Sequence, residues 1–103
     1  MTDDARFDYR GIDDAIHSRI RLAVMAILAS VNDAEFTYLR DQVGATDGNL
    51  STHLSKLVDA GYVAASKTLV DGRPVSRYRL SADGRRAFRE YLDRMERMLG
   101  GMP

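Results

Sequence analysis

From Ile20 to Val31 the only polar residues are Arg21 and Ser30. A helix through this stretch is apolar on nearly all sides and has to be buried on nearly all sides. A small domain cannot wrap one helix completely, so a second subunit is expected to cover part of it. Upstream, residues 1–11 show no apolar period and end at Gly11, which predicts a mobile arm. Asp13 and Asp14 then stand where a helix start favours negative charge. Ser18 either opens a second helical segment or lies within one that runs on. Asn32, Asp33 and Ala34 predict a loop, with room for a very short strand at Glu35–Phe36.

Thr37 is placed to cap a short helix over Tyr38–Val43, which Gly44 stops. Thr46 is the next cap, with Asp47 in the first turn of a helix that carries Leu50, Leu54, Leu57 and Val58 as one buried stripe and ends at Gly61. The period then becomes extended. Tyr62–Val70 and Val75–Leu80 read as strands around the turn Asp71-Gly72-Arg73-Pro74. Ser81 caps a last helix with Phe88, Tyr91, Leu92, Met95, Met98 and Leu99 along one side, and the chain frays from Gly100. The fold class is mostly α with a small β-hairpin: a winged helix-turn-helix. Its domain is expected over residues 12–99, with a dimerisation helix at 82–99 and a tail at 100–103.

Composition narrows the chemistry. At 103 residues and 11.5 kDa the chain holds a single domain. With no cysteine it cannot carry disulfides, zinc ribbons or iron–sulfur clusters, and two histidines (His17 and His53) offer few metal ligands. Neither a metal nor a cofactor is expected. No apolar run is long enough for a spanning helix, and the acidic N-terminus lacks the order of a secretory signal, so a cytoplasmic protein without a membrane partner is expected.

Fifteen basic residues balance fifteen acidic ones, yet the charge is segregated. Residues 1–45 hold five basic and eight acidic groups, residues 46–80 five and three, and residues 81–103 five and four. Segregated charge can aim a neutral protein at an anion.

At about 100° per residue, the face opposite the leucine stripe of the second short helix holds Gly48, Asn49, Thr52, Ser55 and Lys56, with Ser51 and His53 on the flanks. Short hydrogen-bonding side chains and one cation, with no carboxylate, suit a DNA major groove. Asn49, Ser51, Thr52, Ser55 and Lys56 are the expected groove contacts. In the hairpin, Lys67, Arg73 and Arg77 are the expected contacts to phosphates or the minor groove, with Asp71 working against them.

His53 is as consistent with a structural role as with a DNA contact. Ser51, His53 and Ser55 lack an acid to orient the imidazole and a Gly-x-Ser-x-Gly elbow, so no enzyme is expected. His17 reads as a boundary residue rather than a pH switch. The arginines of the last helix interleave with Glu90, Asp93 and Glu96 and read as a solvated face.

The ordered set resembles the winged-helix transcriptional regulators of bacteria and archaea, in the MarR/ArsR-like group. The likeness runs over roughly residues 12–99. It is carried by Ile16-His17-Ser18-Arg19-Ile20-Arg21-Leu22-Ala23-Val24-Met25 at its start and by Phe36-Thr37-Tyr38-Leu39. Its most specific part is Gly48-Asn49-Leu50-Ser51-Thr52-His53-Leu54 followed by Ala60-Gly61-Tyr62-Val63, and it closes with Arg73-Pro74, Tyr78-Arg79-Leu80 and Ser81-Ala82-Asp83-Gly84. Where relatives often have proline this chain has Arg19.

The resemblance implies a homodimer that binds double-stranded DNA as repressor or activator, joined through its first and last helices. Ile16, Ile20, Val24, Phe88, Tyr91, Leu92, Met95 and Leu99 are the expected dimer contacts. Met25, Met95 and Met98 make an adaptable surface that could hold a small apolar effector at the dimer seam. The competing expectation is a winged helix that docks on another protein and does not bind DNA.

Overall fold

The computed structural model describes residues 11–100. The expected arm at 1–11 and tail at 100–103 lie outside the described residues, apart from Gly11 and Gly100. Four helices and three strands follow in the order α1 (Arg19–Ala29), β1 (Ala34–Glu35), α2 (Phe36–Val43), α3 (Asp47–Asp59), β2 (Val63–Val70), β3 (Arg73–Leu80) and α4 (Ala82–Leu99). The sheet is antiparallel in the order β1-β3-β2. This is the winged-helix architecture that the sequence predicts.

Ser18 caps α1, its hydroxyl accepting from the Arg21 N–H at 3.3 Å. Thr46 and Ser81 cap α3 and α4 in the same way. The cap expected at Thr37 is not used. Glu35 is held extended by its pairing with Arg77, so α2 starts directly at Phe36 and Thr37 falls inside its first turn. The hairpin turn is tighter than the four residues predicted. Asp71 and Gly72 both have positive φ (52° and 77°), the geometry of a two-residue turn that matches strand twist. Pro74 therefore lies in β3, paired with Leu69. β1 pairs only with Arg77 and Tyr78, so β3 has an open edge at Pro74 and loses no ladder bond there.

Ile16, Val24, Met25, Leu28, Leu39, Leu50, Leu54 and Leu57 form the fully buried centre. Arg21 is buried beside them at 9% exposure. In α1 it shares the inward face with Val24, Met25 and Leu28, at i, i+3, i+4 and i+7. The one charge in the apolar run of α1 therefore lies on its inward face.

At its N-terminus α4 is pressed onto the turn between α3 and β2. The Ser81 hydroxyl donates to the Gly61 carbonyl at 2.5 Å and accepts from the Gly84 N–H at 2.9 Å. Gly84 is buried, and a Cβ there would collide with the Tyr62 backbone carbonyl. Gly48 in α3 has open space around it. Gly84→Ala is therefore expected to cost about 2 kcal/mol through overpacking, whereas Gly48→Ala gains up to about 1 kcal/mol from helix entropy. Urea unfolding of the two variants measures both, and the shifts are expected to have opposite signs.

Candidate nucleic-acid interface

Leu50, Leu54 and Leu57 anchor α3 in the core, and Val58, expected with them, is half-exposed. That anchoring turns Asn49, Ser51, Thr52, Ser55 and Lys56 to the exterior, where all five are exposed. The Thr52 hydroxyl donates to the Gly48 carbonyl at 3.0 Å, so its oxygen faces outward as an acceptor. Arg40, at the end of α2, reaches Asp47 at 3.0 Å and Asp41 at 3.1 Å. This ion pair spans the helix-turn-helix and neutralises the one acid in the first turn of α3.

In the wing, Lys67 and Arg73 are exposed, and no ion pair among the described residues engages them. Arg77 is different. Its guanidinium holds Asp33 at 2.9 Å and Glu35 at 3.1 Å, fastening β3 to β1 and the loop before it. With two carboxylates already on it, Arg77 supports the base of the wing rather than presenting a free cation. The tip carries apolar surface that the sequence reading passed over: Leu69 is 75% exposed and Val70 42%.

The expected dimer contacts divide. Ile16 and Val24 are fully buried within their own domain, and Tyr91 is 6% exposed with its hydroxyl 2.9 Å from His17 Nδ1. These three pack in the subunit's own core. Met25 is buried too and drops out of the adaptable surface. Ile20, Phe88 and Met95 are half-buried, and Leu92 and Leu99 are 49% and 59% exposed. A groove of about 380 Å³ lies between Gly11, Asp13 and α4, but Glu90, Asp93, Arg94 and Arg97 line it, so its chemistry is charged rather than apolar.

Arg21 was not foreseen as a functional residue. Its Nε donates to the Ala15 carbonyl at 2.7 Å, one Nη to the Asp14 carbonyl at 3.2 Å, and the other Nη meets His53 Nδ1 at 2.9 Å. The signal was its place in the heptad-like spacing of the core face of α1. The Tyr62 hydroxyl donates to Asp13 at 2.5 Å, and this hydrogen bond, then burial and nearby acids, push the phenol up to about 12. Among the described residues no cluster could hold a metal, and no helix is long and apolar enough to cross a membrane.

This geometry matches known proteins. A family model described as a winged helix DNA-binding domain covers residues 20–99. The chain belongs to that family. An uncharacterized protein from Methanocaldococcus jannaschii is 36% identical over 76 residues, spanning 74% of this chain and 83% of that protein. Among solved structures, the transcriptional regulator homologue from Pyrococcus horikoshii superposes with a TM-score of 0.80 at 24% identity, covering 85% of this chain and 87% of that one. A MarR-family regulator from Silicibacter pomeroyi gives 0.64 at 22% identity, covering 96% and 66%. These structural likenesses show a shared fold. The family is defined by DNA binding, in agreement with the expectation that the chain is not an enzyme.

His53 also sets a pH dependence. Burial first, then the charges of Arg21 and Lys56, hold its imidazole below the ordinary value of 6.5. Between that lowered value and 6.5 the unfolded chain binds more protons than the folded one, so stability is full above 6.5 and lost as pH falls. Urea midpoints of the native protein are expected to drop more steeply below about pH 6.5 than those of His53→Gln.

Proposed function

We propose that this chain is a sequence-specific transcriptional regulator that binds a pseudo-palindromic operator as a homodimer. The supporting observation is the exposed face of α3, where Asn49, Ser51, Thr52, Ser55 and Lys56 stand free of acids beside a hairpin that presents Lys67 and Arg73. In this reading α3 lies in the major groove with Asn49 at the base edges, and the wing meets phosphates or the minor groove. Arg77 acts by holding the wing at its angle rather than by touching DNA.

The dimer forms through the strip left exposed or half-covered on α4, namely Phe88, Leu92, Met95 and Leu99, together with Ile20 of α1. A seam that brings Met95 and Met98 of two subunits together is where a small apolar effector would be held. Two-fold symmetry places the half-sites about one DNA turn, roughly 10 base pairs, apart.

Anisotropy titrations at several salt concentrations, on operator fragments recovered from genomic DNA with the purified chain, test the reading. Lys56→Ala and Arg73→Ala are each expected to weaken binding to all sequences and to lower the salt slope by about 1 per half-site, about 2 for the dimer. Asn49→Ala is expected to lose about 1–3 kcal/mol of discrimination at one base pair. Affinity that ignores salt, or no genomic fragment retained, defeats the proposal. The exposed apolar tip at Leu69 favours one competing reading, a wing that docks on a protein; partner affinity that survives Lys56→Ala and Arg73→Ala but falls with Leu69→Ser would support it.

Dimerisation has its own check. Light scattering at micromolar concentration is expected to give twice the chain mass, and Leu92→Asp with Leu99→Asp to give a folded monomer with sharply reduced operator affinity. A monomeric native protein contradicts the dimer.

A further inference from the structure

Arginine donates through all its nitrogens and accepts through none. The 2.9 Å contact between an Arg21 Nη and His53 Nδ1 therefore fixes Nδ1 as the acceptor. An imidazole whose Nδ1 accepts, and which stays neutral, carries its single proton on Nε2. Arg21 is well placed to enforce this because it cannot turn away. Its other nitrogens are tied to the Asp14 and Ala15 carbonyls, and the side chain is buried. Neutrality has a separate cause, since burial and the two neighbouring cations disfavour protonation of the ring.

Nε2 lies on the other side of the ring from Arg21. It makes no hydrogen bond to any described residue, and the His53 side chain is only half-buried. His53 is on α3 one turn before Lys56 and one turn after Asn49, on the flank of the outward face. In a groove-bound helix the flanks meet the phosphate rails and the centre of the face meets the base edges.

From this geometry we infer that His53 is a neutral phosphate-binding donor of the recognition helix, locked into its Nε2–H tautomer by the buried cation of Arg21. The inference rests on the DNA-binding reading above. The arrangement gives a donor whose orientation is set before DNA arrives, so little ordering remains to be done on binding. Arg21 also polarises the ring from behind: hydrogen bonds in a chain strengthen one another, and a donor backed by a cation is a better partner for an anionic oxygen. Because the ring itself is uncharged, it adds affinity without releasing a counterion, which separates it from Lys56.

Two measurements test this. The first needs no DNA: nitrogen-15 chemical shifts of the His53 ring in the free native protein, near neutral pH, are expected to show a protonated Nε2 and a bare Nδ1. A protonated Nδ1, or a mixture of tautomers, overturns the inference whatever the protein binds. The second is an anisotropy titration of the native protein, His53→Phe and His53→Gln on operator and on unrelated duplex, with folding checked by circular dichroism.

His53→Phe is expected to bind roughly tenfold more weakly per half-site, equally on both DNAs, with the salt slope unchanged. His53→Gln, whose amide N–H reaches about as far as Nε2, is expected to recover most of the loss. Unaltered affinity in His53→Phe, or a reduced salt slope, overturns the inference while the native protein still binds. A loss confined to operator also overturns it, because it would put the ring on a base edge. If the native protein binds neither DNA, the broader reading fails instead.

Discussion

A guanidinium ion inside a core of leucine, isoleucine and methionine is the constraint around which the domain is arranged. Removing such a group from water is costly unless every donor is met. Arg21 has no carboxylate partner among its described contacts and is satisfied instead by two backbone carbonyls and one imidazole. Those acceptors come from different parts of the chain. Asp14 and Ala15 sit in the turn before α1, and His53 sits in α3. The charge is tolerated only when that turn and that helix are both in place, so it selects one arrangement more than it adds stability. Other latches bear on the same turn: Asp13 receives the Tyr62 hydroxyl and His17 meets Tyr91. Residues 13–17 thereby join α1, α3, the start of β2 and α4.

The candidate DNA surface follows from this framework. Three leucines fix the depth of α3, and Arg21 fixes its rotation through a ring on its flank. Arg40 ties α2 to the first turn of α3 through Asp47. The wing is anchored at one end only: Arg77 clamps its base to Asp33 and Glu35, while the tip beyond has no β1 neighbour. A rigid helix and a hairpin that is firm at its root and free at its tip form a natural pair for reading one groove and gripping its edge.

Much of this was legible in the sequence because it is local. Caps at Thr46 and Ser81 and the stripe of Leu50, Leu54 and Leu57 are each decided within a few residues, and the structure has them where pattern alone put them; the hairpin turn falls inside its expected four residues. What pattern could not give is partnership across the chain. Alternation placed Arg77 on the wing, but its carboxylates lie 42 and 44 residues away. A helical stripe marks a side chain as apolar without saying whose core it enters. Ile16, Val24 and Tyr91 therefore read the same as Leu92 and Leu99, though the first three close the subunit's own interior. Arg21 was visible as a charge in an apolar run. The spacing that puts it on the inward face was visible too, yet its acceptors were not.

Returning those residues to the core narrows the dimer argument and strengthens it. Tyr91 is the last residue of α4 that the domain buries fully; Met95 still packs in part against the core, and about two turns of helix continue past Tyr91. Helical ends with little packing are marginal in water, and these turns expose Leu92 and Leu99 on one side. The same turns carry Asp93, Arg94, Glu96 and Arg97, so the helix stays amphipathic where its own subunit covers it only in part. In the proposed dimer the missing surface is the equivalent strip of a second copy. Because that strip lies on α4 with Ile20 alone from α1, the crossing of the two α4 helices sets the distance between the two recognition helices. The spacing of the half-sites is then decided by a few leucine and methionine side chains, far from any base they help to select.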